Sequence, residues 1–256
     1  MNNFENRIAV VTGASAGIGY SIVNALLEAG VRVVGNARRA QRLDDMSTGA
    51  EKRYGERRFV GVTGDINKEE TLVKLMAASQ AAFGETPDIF VVNAGRGLPG
   101  SLLQSDQSLW ASLFELNCLS AMAQMKSAAQ VMVERAKRRA GQPLAQDMGS
   151  IVGRHLSPVN PIYGATKYAV NSLAEALRRE VCEHWVRVTL IEPGTVKSEF
   201  QEVAGYDAQA FAAYEQQSGP FVTGDDVANF LMFAVSQPPH VHFNNVVIRP
   251  TRQVYP

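Results

Sequence analysis

Residues Arg7 to Gly19 read RIAVVTGASAGIG: a β-branched apolar run, a turn with the pattern Gly13-x-x-x-Gly17-x-Gly19, then a helix carrying Ile22, Val23, Leu26 and Leu27 on its apolar face. A strand that enters a helix through a glycine-rich turn is the setting a dinucleotide site requires. Glycines let the backbone come close to a pyrophosphate, and the helix N-terminus adds amide donors and the positive end of a dipole. The spacing differs from the commoner G-x-G-x-x-G form. Such a turn also occurs for purely structural reasons, so the rest of the chain must arbitrate.

Downstream, strands and helices alternate. Strands are read at Val31–Asn36, Phe59–Thr63, Asp88–Val92, Val186–Ile191 and Phe243–Ile248. Helices are read at Arg39–Tyr54, Lys68–Phe83 (Leu72, Leu75 and Met76 on one side), Asp106–Arg138, from Tyr163 to about Glu183, and Asp225–Ser236. The strands are nearly all apolar, as strands covered on both faces must be. The pattern predicts an α/β fold: a doubly wound parallel sheet with helices on both faces and right-handed crossovers. A closed (β/α)8 barrel is the competing architecture, and the glycine-rich first turn favours the open sheet. No linker, repeat or low-complexity segment divides the 256 residues, so one domain over 1–256 is expected.

Composition removes several functions. Lysine plus arginine equals aspartate plus glutamate at 25 each, so no net field points to nucleic acid or an anionic membrane. Arg135, Lys137, Arg138 and Arg139 read as a solvated helix end favoured by the dipole. Cys118 and Cys182 form no disulfide framework or metal spacing and read as buried free thiols. His155, His184, His240 and His242 show no metal arrangement with carboxylates or cysteines. The first residues, MNNFENRIAVVTG, carry no targeting pattern, and no apolar run approaches the roughly 18 residues of a membrane span. A cytoplasmic protein with no membrane or nucleic-acid partner is expected.

A second stretch, Ser150 to Lys167 (SIVGRHLSPVNPIYGATK), carries the chemistry. Tyr163 and Lys167 are four residues apart and share one helix face. A free phenol titrates near ~10, too high for acid/base work at neutral pH. A nearby ammonium favours the phenolate and lowers that value. A serine hydroxyl can then hold a reacting carbonyl or alcohol oxygen while the tyrosine moves the proton.

Together, TGASAGIG (Thr12–Gly19), NAG (Asn93–Gly95), Ser150, YGATK (Tyr163–Lys167) and Pro193-Gly194 resemble the short-chain dehydrogenase/reductase family over nearly the whole chain, in its order and spacing. The resemblance implies a single-domain Rossmann oxidoreductase that passes hydride between NAD(P) and a carbonyl or alcohol. On it, Tyr163 matches the acid/base, and Lys167 the lysine that lowers the phenol's pKa and holds the nicotinamide ribose. Ser150, thirteen positions before Tyr163, matches the serine that orients the substrate oxygen; Ser157, six positions before, is the discounted rival. Asn117 matches an asparagine that positions a water in a proton relay, against a competing reading as a polar residue satisfied between helices.

The resemblance also implies a cofactor lining of Gly13, Ser15, Ala16, Gly17, Ile18 and Gly19 at the first turn, and Asp65 with Ile66 beside the adenine. Asn93, Ala94 and Gly95 fall on the ribose side, and Pro193, Gly194, Thr195 and Val196 at the nicotinamide amide. Alone, Asp65 reads as a turn or N-cap residue. Cofactor choice is read at the end of the second strand, Asn36-Ala37-Arg38-Arg39. NAD-preferring members place an acid there. Here Ala37 stands at about that position, and Arg38, with Arg39, offers guanidinium to a 2′-phosphate. NADP is therefore expected over NAD. The bland reading makes these arginines the start of a solvated helix.

One segment departs from the family. Before Ser150 stands Leu144-Ala145-Gln146-Asp147-Met148-Gly149, where four or more apolar residues are usual. An aspartate in a central strand is costly unless paired. A short fifth strand would unsettle the place of Ser150, and it keeps a second function in view: a catalytically silent NADP(H)-binding sensor or scaffold. Lys197–Gly219 lies where relatives carry short helices over the substrate, and Phe200, Tyr206, Phe211 and Tyr214 are candidates to line an apolar pocket. A homodimer or homotetramer, paired through the helices Asp106–Arg138 and Pro161–Glu183, and a small-molecule carbonyl or alcohol substrate complete the expectation.

Overall fold

The computed structural model describes residues 4–138, 147–148, 154 and 160–254. Seven strands occur among them: β1 (Ile8–Thr12), β2 (Arg32–Ala37), β3 (Phe59–Thr63), β4 (Ile89–Val91), β5 (Asp147–Met148), β6 (Leu190–Pro193) and β7 (Asn245–Ile248). The helices are α1 (Gly17–Glu28), α2 (Ala40–Tyr54), α3 (Glu69–Phe83), α4 (Trp110–Phe114), α5 (Ala121–Arg138), α6 (Pro161–Val181), α7 (Phe200–Ala204), α8 (Ala208–Ser218) and α9 (Gly224–Ser236). Strand pairing is parallel throughout, in the orders β3-β2-β1-β4 and β5-β6-β7. Val10 of β1 lies between Val34 and Phe90, and Ile191 of β6 between Met148 and Val246. The expected doubly wound Rossmann architecture is present.

β1 shows why helices cover both faces. All five of its residues are buried. Ala9 and Val11 point to one side, among Ile22, Leu26, Val227 and Leu231 of α1 and α9. Val10 points to the other, with Val34, Phe90, Leu75, Met132 and Val170 from β2, β4, α3, α5 and α6. A strand's period of two thus feeds two apolar layers. Each fully buried aliphatic side chain contributes about 1.5–3 kcal/mol. Helix ends are set locally: Thr223 and Asp226 form a reciprocal capping box at the start of α9, and Pro161 opens α6.

Several expectations need correction. Arg135 is not at a solvated helix end; its side chain is buried and bonds Asp88 at 2.8 Å. Asp88 also accepts the amide of Ile8 at 2.8 Å, so a long-range pairing overrides the local charge run. Lys137 and Arg138 are exposed as read, and Arg139 lies outside the described residues. Cys118 is buried but Cys182 is exposed. The sixth strand is regular from Leu190; just before it, buried Arg187 donates to the carbonyls of Ala234 and Val235 in α9 and of Gln237 and Val241 after it. Burial, with Arg7 nearby, pushes the Arg187 guanidinium down to about 10, still cationic at neutral pH and suited to a helix C-terminus. The single long helix read over Asp106–Arg138 is α4 and α5 joined by a π-helical stretch, Glu115–Ser120, after a short 3-10 turn at Gln107–Leu109.

β5 is described at Asp147–Met148. Among the described residues it pairs with β6; the rest of the stretch 144–150, on which the reading of a short fifth strand fell, lies outside the described residues. Glu192 of β6 is fully buried and is held by Arg154 and by Asn171 of α6, the latter at 2.7 Å.

Candidate active site

The C-terminal ends of β1, β2, β4 and β6 open onto one cleft of about 1460 Å³. At its floor the turn after β1 bends through Gly13 at φ 67° and Gly17 at φ 52°, a left-handed region that favours glycine. A Cβ on Gly13 would stand 2.8 Å from Asn93 Nδ2. Gly19 plays a different part: it lies behind the cleft wall, and a Cβ there would come within 2.3 Å of the Gly13 carbonyl oxygen. Its smallness serves strand–helix packing. Ala16 precedes α1 and gives it no side-chain cap, so its first amides meet the cleft unblocked. Ser15, Ala16, Gly17 and Ile18 line the cleft beside them. This cradle fits the pyrophosphate of a dinucleotide, with apposed backbone, free helix amides and no carboxylate among these residues.

Thr12 fastens the turn to β4. Its Oγ1 donates to the Val91 carbonyl at 3.3 Å and accepts the amides of Asn93 and Ala94 at 3.1 and 3.2 Å. Asn93 Nδ2 returns a bond to the Thr12 carbonyl at 2.9 Å. Asn93, Ala94 and Gly95 therefore reach the cleft as a fixed ledge. Asp65 and Ile66 line it after β3, where Asp65 accepts the Asn67 amide at 3.1 Å, the turn role also read for it.

Ala37, Arg38 and Arg39 line the cleft at the end of β2. Arg38 is exposed and has no ion-pair partner among the described residues. Arg39 bonds Glu199 at 3.0 Å and Ser15 Oγ at 3.2 Å. Arg42, one turn along α2, bonds the same carboxylate at 2.7 Å and the Ser15 carbonyl at 3.2 Å. Hydrogen bonds from Arg42 and then Arg39 hold the Glu199 carboxyl below the usual carboxylate range.

At the other end, Tyr163 and Lys167 project from the first turns of α6 into the same cleft, the ammonium nitrogen 5.6 Å from the ring centroid. A Cβ on Gly95 would stand 3.7 Å from Lys167 Nζ, which places the ammonium against the ledge. Asn117 sits in the π-helical stretch, buried behind the cleft wall. Its Oδ1 accepts the Arg96 amide at 3.0 Å, and its Nδ2 donates to the Arg96 carbonyl at 2.9 Å and Thr166 Oγ1 at 3.1 Å. It ties the ledge to α6. Cys118 beside it has its thiol pushed up by burial, partly opposed by Lys167. Ser150, Ser157 and His155 lie outside the described residues.

Pro193, Gly194, Thr195 and Val196 line the cleft after β6. Gln253 Oε1 accepts the Thr195 amide at 3.0 Å and fixes that segment from the far end of the chain. α7 and α8 then form the opposite wall. Phe200 meets the Tyr163 ring edge-on at 5.8 Å, and Tyr206 follows at 6.4 Å from Phe200. The Tyr206 hydroxyl accepts from Asn160 at 3.0 Å, while burial pushes its phenol up. Phe211 and Tyr214 line the cleft and also pack on Phe221, so both readings of these aromatics apply. Arg42, Glu199, Asn160 and Gln253 escaped the sequence reading. Arg42 had a local signal, three residues after Arg39; the others act across long sequence separations. Among the described residues, no group of three or more His, Cys, Asp or Glu side chains is arranged to hold a metal, and no helix is long and apolar enough to cross a membrane.

A glycine-cradled cleft at the strand ends, faced by a tyrosine and lysine one helical turn apart, defines a Rossmann-type dinucleotide oxidoreductase class. The sequence profile described as short chain dehydrogenase matches residues 7–208, and the chain belongs to the short-chain dehydrogenase/reductase family of oxidoreductases. It is 32% identical over 260 residues to dehydrogenase/reductase SDR family member 11 of Bos taurus, spanning 99% of this chain and 100% of that one. Among solved structures it is similar to the closed form of a serine dehydrogenase complexed with NADP+, at 27% identity and a TM-score of 0.84 over 97% and 96% of the two chains. A short-chain dehydrogenase/reductase from Burkholderia phymatum in complex with NAD shares the fold at 23% identity and a TM-score of 0.80, over 96% and 90% of the two chains.

Proposed function

We propose that this chain is a single-domain, NADP(H)-dependent oxidoreductase that interconverts an aldehyde or ketone and the corresponding alcohol. The observation that carries the reading is the placement of Tyr163 and Lys167 on one face of α6, in the cleft that the Gly13–Gly19 turn floors. Bound nicotinamide would supply or take the hydride. In reduction, the Tyr163 hydroxyl gives its proton to the substrate oxygen as that oxygen gains charge, and in oxidation the phenolate takes it back. Lys167 stabilises the phenolate by charge and holds the nicotinamide ribose. Ser150 fixes the substrate oxygen. Asn117 acts through the Arg96 backbone and Thr166, keeping the ledge and α6 in register for the proton relay. Phe200 and Tyr206 exclude water from the reacting carbon.

The 2′-phosphate would pair with Arg38 and Arg39, since Ala37 supplies no carboxylate to repel it. The remaining cofactor contacts are assigned to the glycine-turn residues, Asp65, Ile66, the ledge and Pro193–Val196. Residues 197–219 are assigned as the substrate lid. Exposed Phe114 of α4, Leu119 of the π-helical stretch, Met122 of α5 and Tyr168 of α6 support pairing of copies through these helices as a dimer or tetramer, and a cytoplasmic location is part of the same proposal.

The test is Tyr163→Phe. Turnover on a panel of aldehydes and ketones, followed at the nicotinamide absorbance, should fall by at least about a thousandfold, the order expected when an acid/base is lost. NADPH binding by fluorescence titration should change little. Retained turnover sinks the assignment. The alternative is a silent NADP(H) sensor; tight NADPH binding without turnover on any carbonyl would select it.

A further inference from the structure

Resting on that oxidoreductase reading, we infer that the substrate carries a carboxylate, held by Arg96 at the rim of the catalytic end of the cleft. Arg96 is placed between two contacts with the reacting centre. The preceding Gly95 stands against Lys167 and Asn117, and the following Gly97 packs on the Phe200 ring, which itself meets Tyr163 edge-on. The Arg96 backbone cannot drift, because its amide and carbonyl are both bonded to Asn117.

The side chain is half-buried and lines the cleft, with Nη2 donating to Ser112 Oγ on α4 at 2.5 Å. A guanidinium has five N–H donors, and among the described residues Arg96 finds a hydroxyl but no acid. The acids that line the same cleft are engaged elsewhere: Glu199 on Arg39 and Arg42, Asp65 on the Asn67 amide, and Asp207 on the Ala210 amide. Two cations that line this cleft, Arg38 and Arg96, thus have no acid partner among the described residues, one at each end. The first faces the place for the cofactor's 2′-phosphate. The second faces the place for the substrate, in a cleft also lined by the apolar side chains of Pro99, Leu116 and Phe200. Planar, two-pronged recognition of a carboxylate is what a guanidinium does best.

The test uses the full chain and straight-chain 2-, 3- and 4-oxo acids, each beside its methyl ester. With NADPH, the wild-type kcat/KM for the best acid should exceed that for its ester by at least about tenfold, the order of one charge-assisted contact. Arg96→Gln should bring that ratio toward one, chiefly through KM, and Arg96→Lys should restore part of it. The chain length with the largest ratio reports the distance from Arg96 to the reacting carbon. A second readout needs no turnover: calorimetric binding of the same acids to the protein–NADP+ complex, in which a ketone is not reduced. Acid binding there that is lost in Arg96→Gln upholds the inference even if no carbonyl is ever reduced, the outcome that would fell the oxidoreductase reading alone. Equal handling of acid and ester by the wild type, with good turnover of both, overturns the inference and leaves that reading intact. A matching loss of NADPH affinity in Arg96→Gln also overturns it, by assigning the arginine to the cofactor.

Discussion

At the residue scale, the proposed preference for NADP is assigned to Arg38. It follows buried Ala37 at the end of β2, lines the cleft, and is not spent on an acid among the described residues, whereas Arg39 shares Glu199 with Arg42. Arg38→Gln should weaken NADPH binding by about 10- to 100-fold, the worth of a charge-assisted contact, and leave NADH binding nearly unchanged. Fluorescence titrations with the two cofactors read it; equal losses for both would remove Arg38 from the 2′-phosphate. The pair Ala37-Arg38 was legible in the sequence because cofactor choice sits at a strand end, where position follows from the local pattern. Asn117 was legible as a residue of interest, yet its surroundings were not. Only the folded chain brings it to the Arg96 backbone and Thr166.

At the scale of elements, Glu199 joins α7 to α2 across the mouth of the cleft. Its partners are about two-fifths exposed, so the pair itself contributes on the order of 0–1 kcal/mol. Its larger consequence is competition, because the carboxylate occupies guanidiniums that lie beside the place for a 2′-phosphate. Glu199→Gln should tighten NADPH binding by a few-fold, leave NADH binding unchanged, and reduce the difference between low and high salt. Weaker NADPH binding would instead make Glu199 the residue that holds Arg39 in position. The same carboxyl sets a pH direction. Its folded value lies below the ordinary one of 4.5, so the link is complete above that pH and is lost as the pH falls through the lowered value. NADPH affinity of the wild type should therefore approach that of the variant only in acid.

At the scale of the whole molecule, the Asp88–Arg135 pair joins the start of β1, the approach to β4 and the end of α5. Both side chains are almost wholly buried, and removing one partner of a buried ion pair costs about 3–5 kcal/mol. Asp88→Asn should lower the thermal midpoint by on the order of 10 °C, since each kcal/mol moves a domain of this size by roughly 2–4 °C. Asp88→Asn combined with Arg135→Met should be less destabilising than the sum of the single changes. Strict additivity by calorimetry would show that the pair is not coupled.

The sequence by itself determined the alternation of strands and helices, the glycine turn after β1, the Tyr163–Lys167 face and the missing acid at Ala37. Each follows from side-chain period, backbone freedom or spacing within a turn or two, and such constraints act over short stretches of chain. The tertiary structure alone decided that Arg135 is buried, that Arg187 bonds carbonyls at and beyond the end of α9, and that Glu199 and Gln253 border the cleft. It also decided that Arg96 is held at the Tyr163 end of the cleft, with no acid bonded to it among the described residues. These depend on contacts between residues far apart in the chain, where burial and charge pairing outweigh local propensity, and no window of sequence contains both partners.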